Sequence, residues 1–240
     1  MSVLSVIKDV CAVVGVTIPT SVFANLTGNR TMQEMLSLAN EMAQRIAYDT
    51  RDWTRLKKTT HHFAGSGVAV DPDNPLAIGC EVFNFPEDFK RLLLTANVWR
   101  STQTLTPMTF IPDADQWMNR RVGNRTSSGE WTVIGGQIYV SPMLAPGEVA
   151  YYAYLDKNCV TLPSGGFGDA FQNDADTFRL NERVLKLAMI WQWKAQKGSP
   201  YAEDMGTYGD ALTTEMGHDS PAPILISVKR SGGWSANVQY

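Results

Sequence analysis

The residues able to do chemistry are few and scattered along the 240-residue chain. His61 and His62 are adjacent on a segment that reads as a strand. Their side chains therefore point to opposite faces and cannot converge on one metal ion. His218 ends a predicted helix, where a positive charge suits the dipole. Ser164-Gly-Gly-Phe-Gly-Asp169 is a glycine-rich loop of the composition that cradles phosphate. No Gly-Lys-Ser/Thr follows it, so a plain turn is the competing reading. Asn173, Asp174 and Asp176 imitate a calcium loop but lack its central glycine and closing glutamate at the required offsets. Their expected role is to cap the helix that follows. The acid pairs Glu87-Asp88 and Glu203-Asp204 fall at a predicted turn and helix start, where carboxylates are favoured anyway. There is no Gly-x-Ser-x-Gly elbow. Cys11, Cys80 and Cys159 lie far apart without CxxC spacing, as expected of buried thiols in a reducing compartment. No catalytic residue, metal ligand or cofactor site is expected.

Two basic clusters stand out: Arg55-Leu-Lys57-Lys58, and Arg120-Arg121 with Arg125. They read either as a solvated strand end and loop or as a patch facing a polyanion such as DNA, with Lys57, Lys58, Arg120, Arg121 and Arg125 as the contacts. The net charge of −3 speaks against a free, tight nucleic-acid binder. A content of 44% hydrophobic and 19% charged residues argues against disorder. The longest apolar run falls short of the roughly 20 residues a membrane span needs, and no membrane role is expected. Residues 1–15 have an apolar stretch like a signal segment, but Lys8 and Asp9 interrupt it, so a retained helix is expected.

These groups must be positioned by elements whose periods change along the chain. Val3, Leu4, Ile7, Val10, Cys11 and Val14 recur at helical spacing up to Gly15. Thr31 and Glu34 have the spacing of a capping box, followed by a helix to about Asp49. From Trp53 to about Val160 the period becomes two. Trp131–Ile134, Gly135-Gly136 and Gln137–Val140 read as a hairpin with a glycine turn. Glu148–Leu155 reads as a strand, earlier strands are expected near Arg55–Phe63, Glu81–Phe85 and Arg91–Val98, and a short helix near Asp113–Arg121 crosses the sheet. The expected organisation is N-terminal helices over 1–52, a β-rich insertion over 53–176, a helical hairpin over 177–218 and an extended arm over 219–240. The fold class is then α+β, a four-helix bundle carrying an inserted antiparallel β domain.

The hairpin is the most informative stretch. Val184–Trp193 is apolar nearly all the way round, interrupted only by Lys186 and Gln192. A helix without a polar face must be covered on both sides, so part of this surface, Trp191 and Trp193 included, is expected to meet another subunit. Gly198 is the expected stop, Ser199 the next cap and Pro200 the first helical position. The second arm places Tyr201, Met205, Tyr208 and Leu212 on one stripe expected to be buried. Beside it, Ala202, Gly206, Gly209 and Thr213 line up. Each interior glycine costs roughly 1 kcal/mol relative to alanine. Close approach of another backbone is one reason to tolerate that, and a frayed or kinked helix is the other. In the arm, Ile224, Leu225, Ile226 and Val228 form a strand-like segment, with Trp234 and Tyr240 as anchors beyond it. Strand addition to a partner is the expected mode, folding back on the chain's own β domain the alternative.

The stretch from Leu180 through Glu182-Arg-Val-Leu-Lys-Leu-Ala-Met-Ile-Trp-Gln-Trp193 to Gly198-Ser-Pro-Tyr-Ala-Glu-Asp204, with the aromatic strand Tyr151–Leu155 and the capped second helix, resembles the head-to-tail adaptor proteins of tailed bacteriophages. The resemblance covers most of residues 1–217. It implies a non-enzymatic ring, usually of twelve copies, that sits beneath the portal protein, extends the DNA channel and joins a downstream tail or nozzle protein. It also implies that the C-terminal arm docks on the portal, and a place at the head–tail junction of a virion assembled in the host cytoplasm. Double-stranded DNA would pass without tight binding, which an acidic chain suits. Two other classes compete. Trp99, Trp117, Trp131 and nearby tyrosines motivate a carbohydrate- or surface-binding β module. A cell-wall hydrolase ranks behind it, because no acid–base pair is singled out.

Overall fold

The computed structural model describes residues 1–70, 73–94, 96–103, 105–122 and 128–219, and of residues 120–122 the backbone path. Helix α1 (Val3–Val14) buries Val3, Val6, Ile7, Val10 and Cys11 on one face, with Ser2 capping its start and Gly15 ending it. Helix α2 (Arg30–Tyr48) starts two residues earlier than the Thr31–Glu34 pattern implies, because Asn29 is the N-cap and its Oδ1 accepts the Met32 amide at 3.2 Å. Glu34 turns outward and pairs with Arg30 and Lys197 instead of closing a capping box.

Next along the chain come β1 (Lys57–Phe63), β2 (Glu81–Asn84), β3 (Phe89–Leu92), β4 (Trp99–Arg100), β5 (Thr109–Phe110), α3 (Ala114–Val122), β6 (Glu130–Ile134), β7 (Gln137–Ser141) and β8 (Val149–Asp156). The two-residue strands β9 (Val160–Thr161), β10 (Phe167–Gly168) and β11 (Thr177–Phe178) then lead to α4 (Glu182–Gln196) and α5 (Ala202–His218).

In the first sheet β8 is central, with β1 on one side and both β3 and β4 on the other. The second sheet runs β2-β7-β6-β5, with β5 parallel to β6. Gly135 and Gly136, at φ 60° and 78°, make the two-residue turn between β6 and β7, a backbone conformation that side chains with a Cβ resist. The two sheets enclose a core of Phe83, Val98, Met108, Trp131, Ile138, Val140, Tyr152 and Tyr154. Strand alternation sends Val82 and Tyr139 to the opposite face, where α3 covers them with Trp117.

The helices share a second core, and its arrangement corrects the expected four-helix bundle. A closed bundle surrounds an axis between its helices. Here α4 itself lies on the axis, and α1, α2 and α5 each pack against it. The remaining side is filled by β-region residues: Leu155, Cys159, Val160, Phe171 and Phe178 belong to the same core as Leu185, Met189 and Ile190. The class stays α+β, but the β part is a wall of the helical core rather than a separate insertion. Strand β8 is shared: Tyr152 and Tyr154 face the space between the sheets, and Leu155 faces the helices.

This placement predicts where stability resides. Leu185→Ala, fully buried on α4, should lower the unfolding free energy by about 2–5 kcal/mol in urea titrations. Met205→Ala, on a half-exposed side chain of α5, should change it by less than about 0.5 kcal/mol. Equal losses would mean that α4 is not the axis of the core.

Candidate functional site

The hairpin α4–α5 is built by a tight stop. Gly198 sits at φ 69°, and the Ser199 amide reaches back to the Lys194 carbonyl at 2.9 Å, closing the last turn of α4. The next helix does not begin at Ser199-Pro200 as expected. Tyr201 is its N-cap residue and makes no side-chain capping bond. Tyr201 and Tyr208 instead lean on Trp191 at ring-centroid distances of 6.4 and 6.1 Å. Lys194 pairs with Asp204 at 2.6 Å, Asn181 donates to Glu215 at 2.7 Å, and Arg51 donates to the Met216 carbonyl. Asp219 closes the far end, its carboxylate accepting the Thr54 amide at 2.7 Å and its carbonyl the Thr54 hydroxyl at 2.9 Å.

Helix α5 is thus pinned along one side and open along the other. Of its residues only Ala211 is buried. Tyr208 and Leu212 are half-buried against the helical core, whereas Tyr201 and Met205 remain 42% and 50% exposed. The expected buried stripe therefore holds at its C-terminal end and fails at its N-terminal end. Ala202, Gly206 and Thr213 are exposed and Gly209 is half-exposed. A Cβ placed on Gly206 or Gly209 meets nothing within 4 Å. Among the described residues, nothing packs where a side chain on either glycine would stand. Trp191 is half-buried beneath the two tyrosines, and Trp193 lies in the chain's own core at 6% exposure with Lys197 over its ring. The demand that α4 be covered is therefore met by its own chain, and Trp193 is not a surface residue available to a neighbour.

The basic clusters are differently employed. Arg55 and Lys57 are exposed. Lys58 is taken by Asp88 at 2.6 Å and by the fully buried Asp156 at 2.9 Å, which removes it from the expected polyanion contacts. Burial pushes Lys58 towards neutrality, but those two carboxylates outweigh it and hold its pKa above the ordinary value. Arg120 and Arg121 lie on α3, and Arg125 lies outside the described residues. So does the arm from residue 220, with Ile224, Leu225, Ile226, Val228, Trp234 and Tyr240.

The other candidate chemistry resolves into packing. The glycine-rich loop carries Phe167 over Arg179 at 4.3 Å, and Arg179 in turn binds Asp156 at 2.7 Å. Asp174 and Asp176 do not cap α4, whose N-cap is Asn181. Their carbonyls accept the Leu4 and Val3 amides at the start of α1, while the Asp174 carboxylate binds Ser21 and the Val22 amide. His62 stacks on Phe83 and meets the Tyr152 hydroxyl at 3.1 Å, and His61 points to the exposed face of β1. Cys11, Cys80 and Cys159 are all buried, and burial pushes the Cys159 thiol up to about 11. Trp117 and Trp131 are core residues and only Trp99 is half-buried, so these three tryptophans do not form an exposed aromatic platform.

One buried pair has no signature in the sequence. Arg100 grips Glu148 with two bonds of 2.8 and 2.9 Å, and Thr102 and the Ala145 amide complete the carboxylate's partners. Burial raises the Glu148 pKa, but these donors outweigh it and leave it below the ordinary range. Asp88 is likewise lowered, with burial overcome by Lys58 and Tyr154. Comparison with models of known protein families gives no match, and comparison with curated proteins gives none either.

The titration signs follow. Asp88 and Glu148 contribute stability that is present above their unfolded values, about 3.9 and 4.3, and lost as pH falls through the lower folded values. His62 is also depressed, first by burial and then by His61, so its contribution starts to fade below the unfolded value of about 6.5. Melting temperature should therefore drop in two stages on acidification, gently below about pH 6.5 and steeply below about pH 4. Glu148→Gln should flatten the second stage and leave the first intact. An unchanged acid limb in that variant would show that the pair does not stabilise the fold.

Proposed function

We propose that this chain is a structural subunit that assembles into a ring, of the kind that head-to-tail adaptors of tailed bacteriophages form beneath a portal, and that it works by contact rather than catalysis. The observation that carries this reading is the open side of α5. Two interior glycines there each cost roughly 1 kcal/mol of helix stability, and among the described residues nothing packs against the space a side chain would take. Beside them Tyr201 and Met205 leave large apolar surface in water. A second backbone laid along Ala202, Gly206, Gly209 and Thr213 would approach closely and cover both side chains.

A contact between this face and a different face of the next copy is heterologous, and such contacts close into rings when the rotation permits. Further apolar side chains stand in solvent elsewhere, with Leu94 80%, Leu105 94% and Ile78 60% exposed, as on a protomer whose neighbours have yet to dock. In this reading the partners are copies of the chain, a portal protein, a downstream tail protein and double-stranded DNA. The acidic balance of the chain, −3 overall, favours passage of DNA over capture. Trp234 and Tyr240, near the end of the arm, are the proposed anchors on the portal.

The test is sedimentation of the purified chain beside a Gly206→Leu/Gly209→Leu variant. Because the space around both glycines is open, the variant should keep the wild-type circular dichroism and melting temperature yet sediment as a monomer while the wild type forms a closed oligomer. A variant that still assembles places the contact elsewhere. A wild type that stays monomeric at every concentration removes the ring reading.

A further inference from the structure

A heterologous contact joins two different faces, so the open side of α5 needs a counterpart on the next copy. The far side of the helical layer offers one. From Val10 to Asn29 the sequence holds no Asp, Glu, Lys, Arg or His. Much of this stretch stands in solvent: Val13, on the last turn of α1, is 56% exposed and Ile18 is 54% exposed. Between the end of α1 and the start of α2 lies an open concavity of about 380 Å³, with Val16, Ile18, Pro19, Asn29 and Met32 in its lining. Apolar side chains left in water on an uncharged surface mark a place where another molecule lands.

This surface and the exposed part of α5 lie at the same end of the helices. The Met1 amine meets Glu182 at 2.8 Å, so α1 and α4 start together. Lys197, just past α4, pairs at 2.7 Å with Glu34 near the start of α2, and the chain then turns at Gly198 into Tyr201 and Met205. The two surfaces also lie on opposite sides of α4. Glu182 faces the start of α1, and Trp191 carries Tyr201 and Tyr208. Residues 182 and 191 are separated by about two and a half helical turns, which points them in opposite directions. Charge matches as well. Glu203 and Asp210 are exposed beside the Ala202-Gly206-Gly209 stripe, and α5 contains neither lysine nor arginine. The uncharged stretch ends at Arg30, whose side chain is 91% exposed and whose bond to Glu34 is a surface pair of little worth.

Resting on the ring reading above, we infer that the acceptor for α5 is the α1–α2 junction of the next copy, with Met205 seated in the concavity and Glu203 brought to Arg30. Methionine is unbranched and polarizable, which suits it to a shallow apolar hollow of irregular shape. Val13 and Ile18 leave water together with Tyr201 and Met205, so apolar surface meets apolar surface at the centre and charge meets charge at the rim. The rim pair fixes register and speeds encounter more than it adds affinity. Because both faces lie at one end of the helices, successive copies repeat without a rise along the helix direction. That is the condition for a closed ring rather than an open filament.

Sedimentation of the full chain tests it with Val13→Glu/Ile18→Glu, which sets two carboxylates where the acidic α5 would land. Both side chains are exposed, so the variant should keep the wild-type circular dichroism and melting temperature. It should associate roughly a hundredfold more weakly than the wild type. Mixed one to one at high concentration with the Gly206→Leu/Gly209→Leu variant, it should give dimers and nothing larger, since each supplies the face the other lacks. If the two acids unfold the chain, Arg30→Glu takes their place: it should weaken association roughly tenfold, and Glu203→Arg in the same chain should restore it. Full assembly of the Val13→Glu/Ile18→Glu variant, a mixture that stays monomeric, or an Arg30→Glu variant that loses nothing overturns this acceptor while leaving the α5 face in place. A wild type that never assembles removes the ring reading, and the acceptor with it.

Discussion

A helix that is apolar on almost every face cannot stand at a surface, and the fold is organised by the need to hide one. From Val184 to Trp193 only Lys186 and Gln192 offer polar groups, so α4 needs cover on all sides. The chain supplies it with α1, α2, α5 and the end of β8. That solution has a consequence for α5. A helix used as one slat of a cover has a far side, and the far side of α5 exposes Ala202, Met205, Gly206 and Thr213 beside the charged Glu203 and Asp210. The exposed face of the molecule is thus a by-product of sealing its centre, and it is the face on which assembly is proposed.

A buried carboxylate lies at the end of the strand shared by the two cores. Asp156 ends β8 with no exposure and is gripped by Lys58 of β1 and by Arg179, just beyond β11. Asp88, before β3, shares Lys58 and accepts the Tyr154 hydroxyl. Such a network is weak evidence for added stability, because desolvation offsets much of the attraction, but losing one member leaves a charge buried and unpaired. Its position matters more than its energy. It sits where β8 passes from the core between the sheets to the helical core.

Much of this was legible in the sequence wherever local spacing decides the outcome. The helical period located α1, α2, α4 and α5, and Gly135-Gly136 located the β6–β7 turn with its register. What spacing cannot say is which surface answers a demand. The apolar girth of α4 calls for cover, and a neighbouring copy or the chain's own helices satisfy it equally well in one dimension. Tyr201 and Met205 share a stripe with Tyr208 and Leu212, yet only the latter pair packs against the helical core, while Tyr201 touches the ring of Trp191 and stays exposed. Asp174 and Asp176 precede α4, and capping it was the natural expectation. They serve α1 instead, across about 170 residues that no local rule spans. The Asp156–Arg179 and Arg100–Glu148 pairs were invisible for the same reason, since ion pairs formed by tertiary contact obey no sequence offset.

The claim that the open side of α5 is a subunit interface is tested most directly by electron cryomicroscopy of the purified full chain, alone and mixed with a portal. The account predicts a closed ring in which Gly206 and Gly209 of each copy lie against the backbone of the next, with the portal seated on one end. Solitary particles that ignore the portal, or a ring whose α5 outer face lies in solvent, would contradict it.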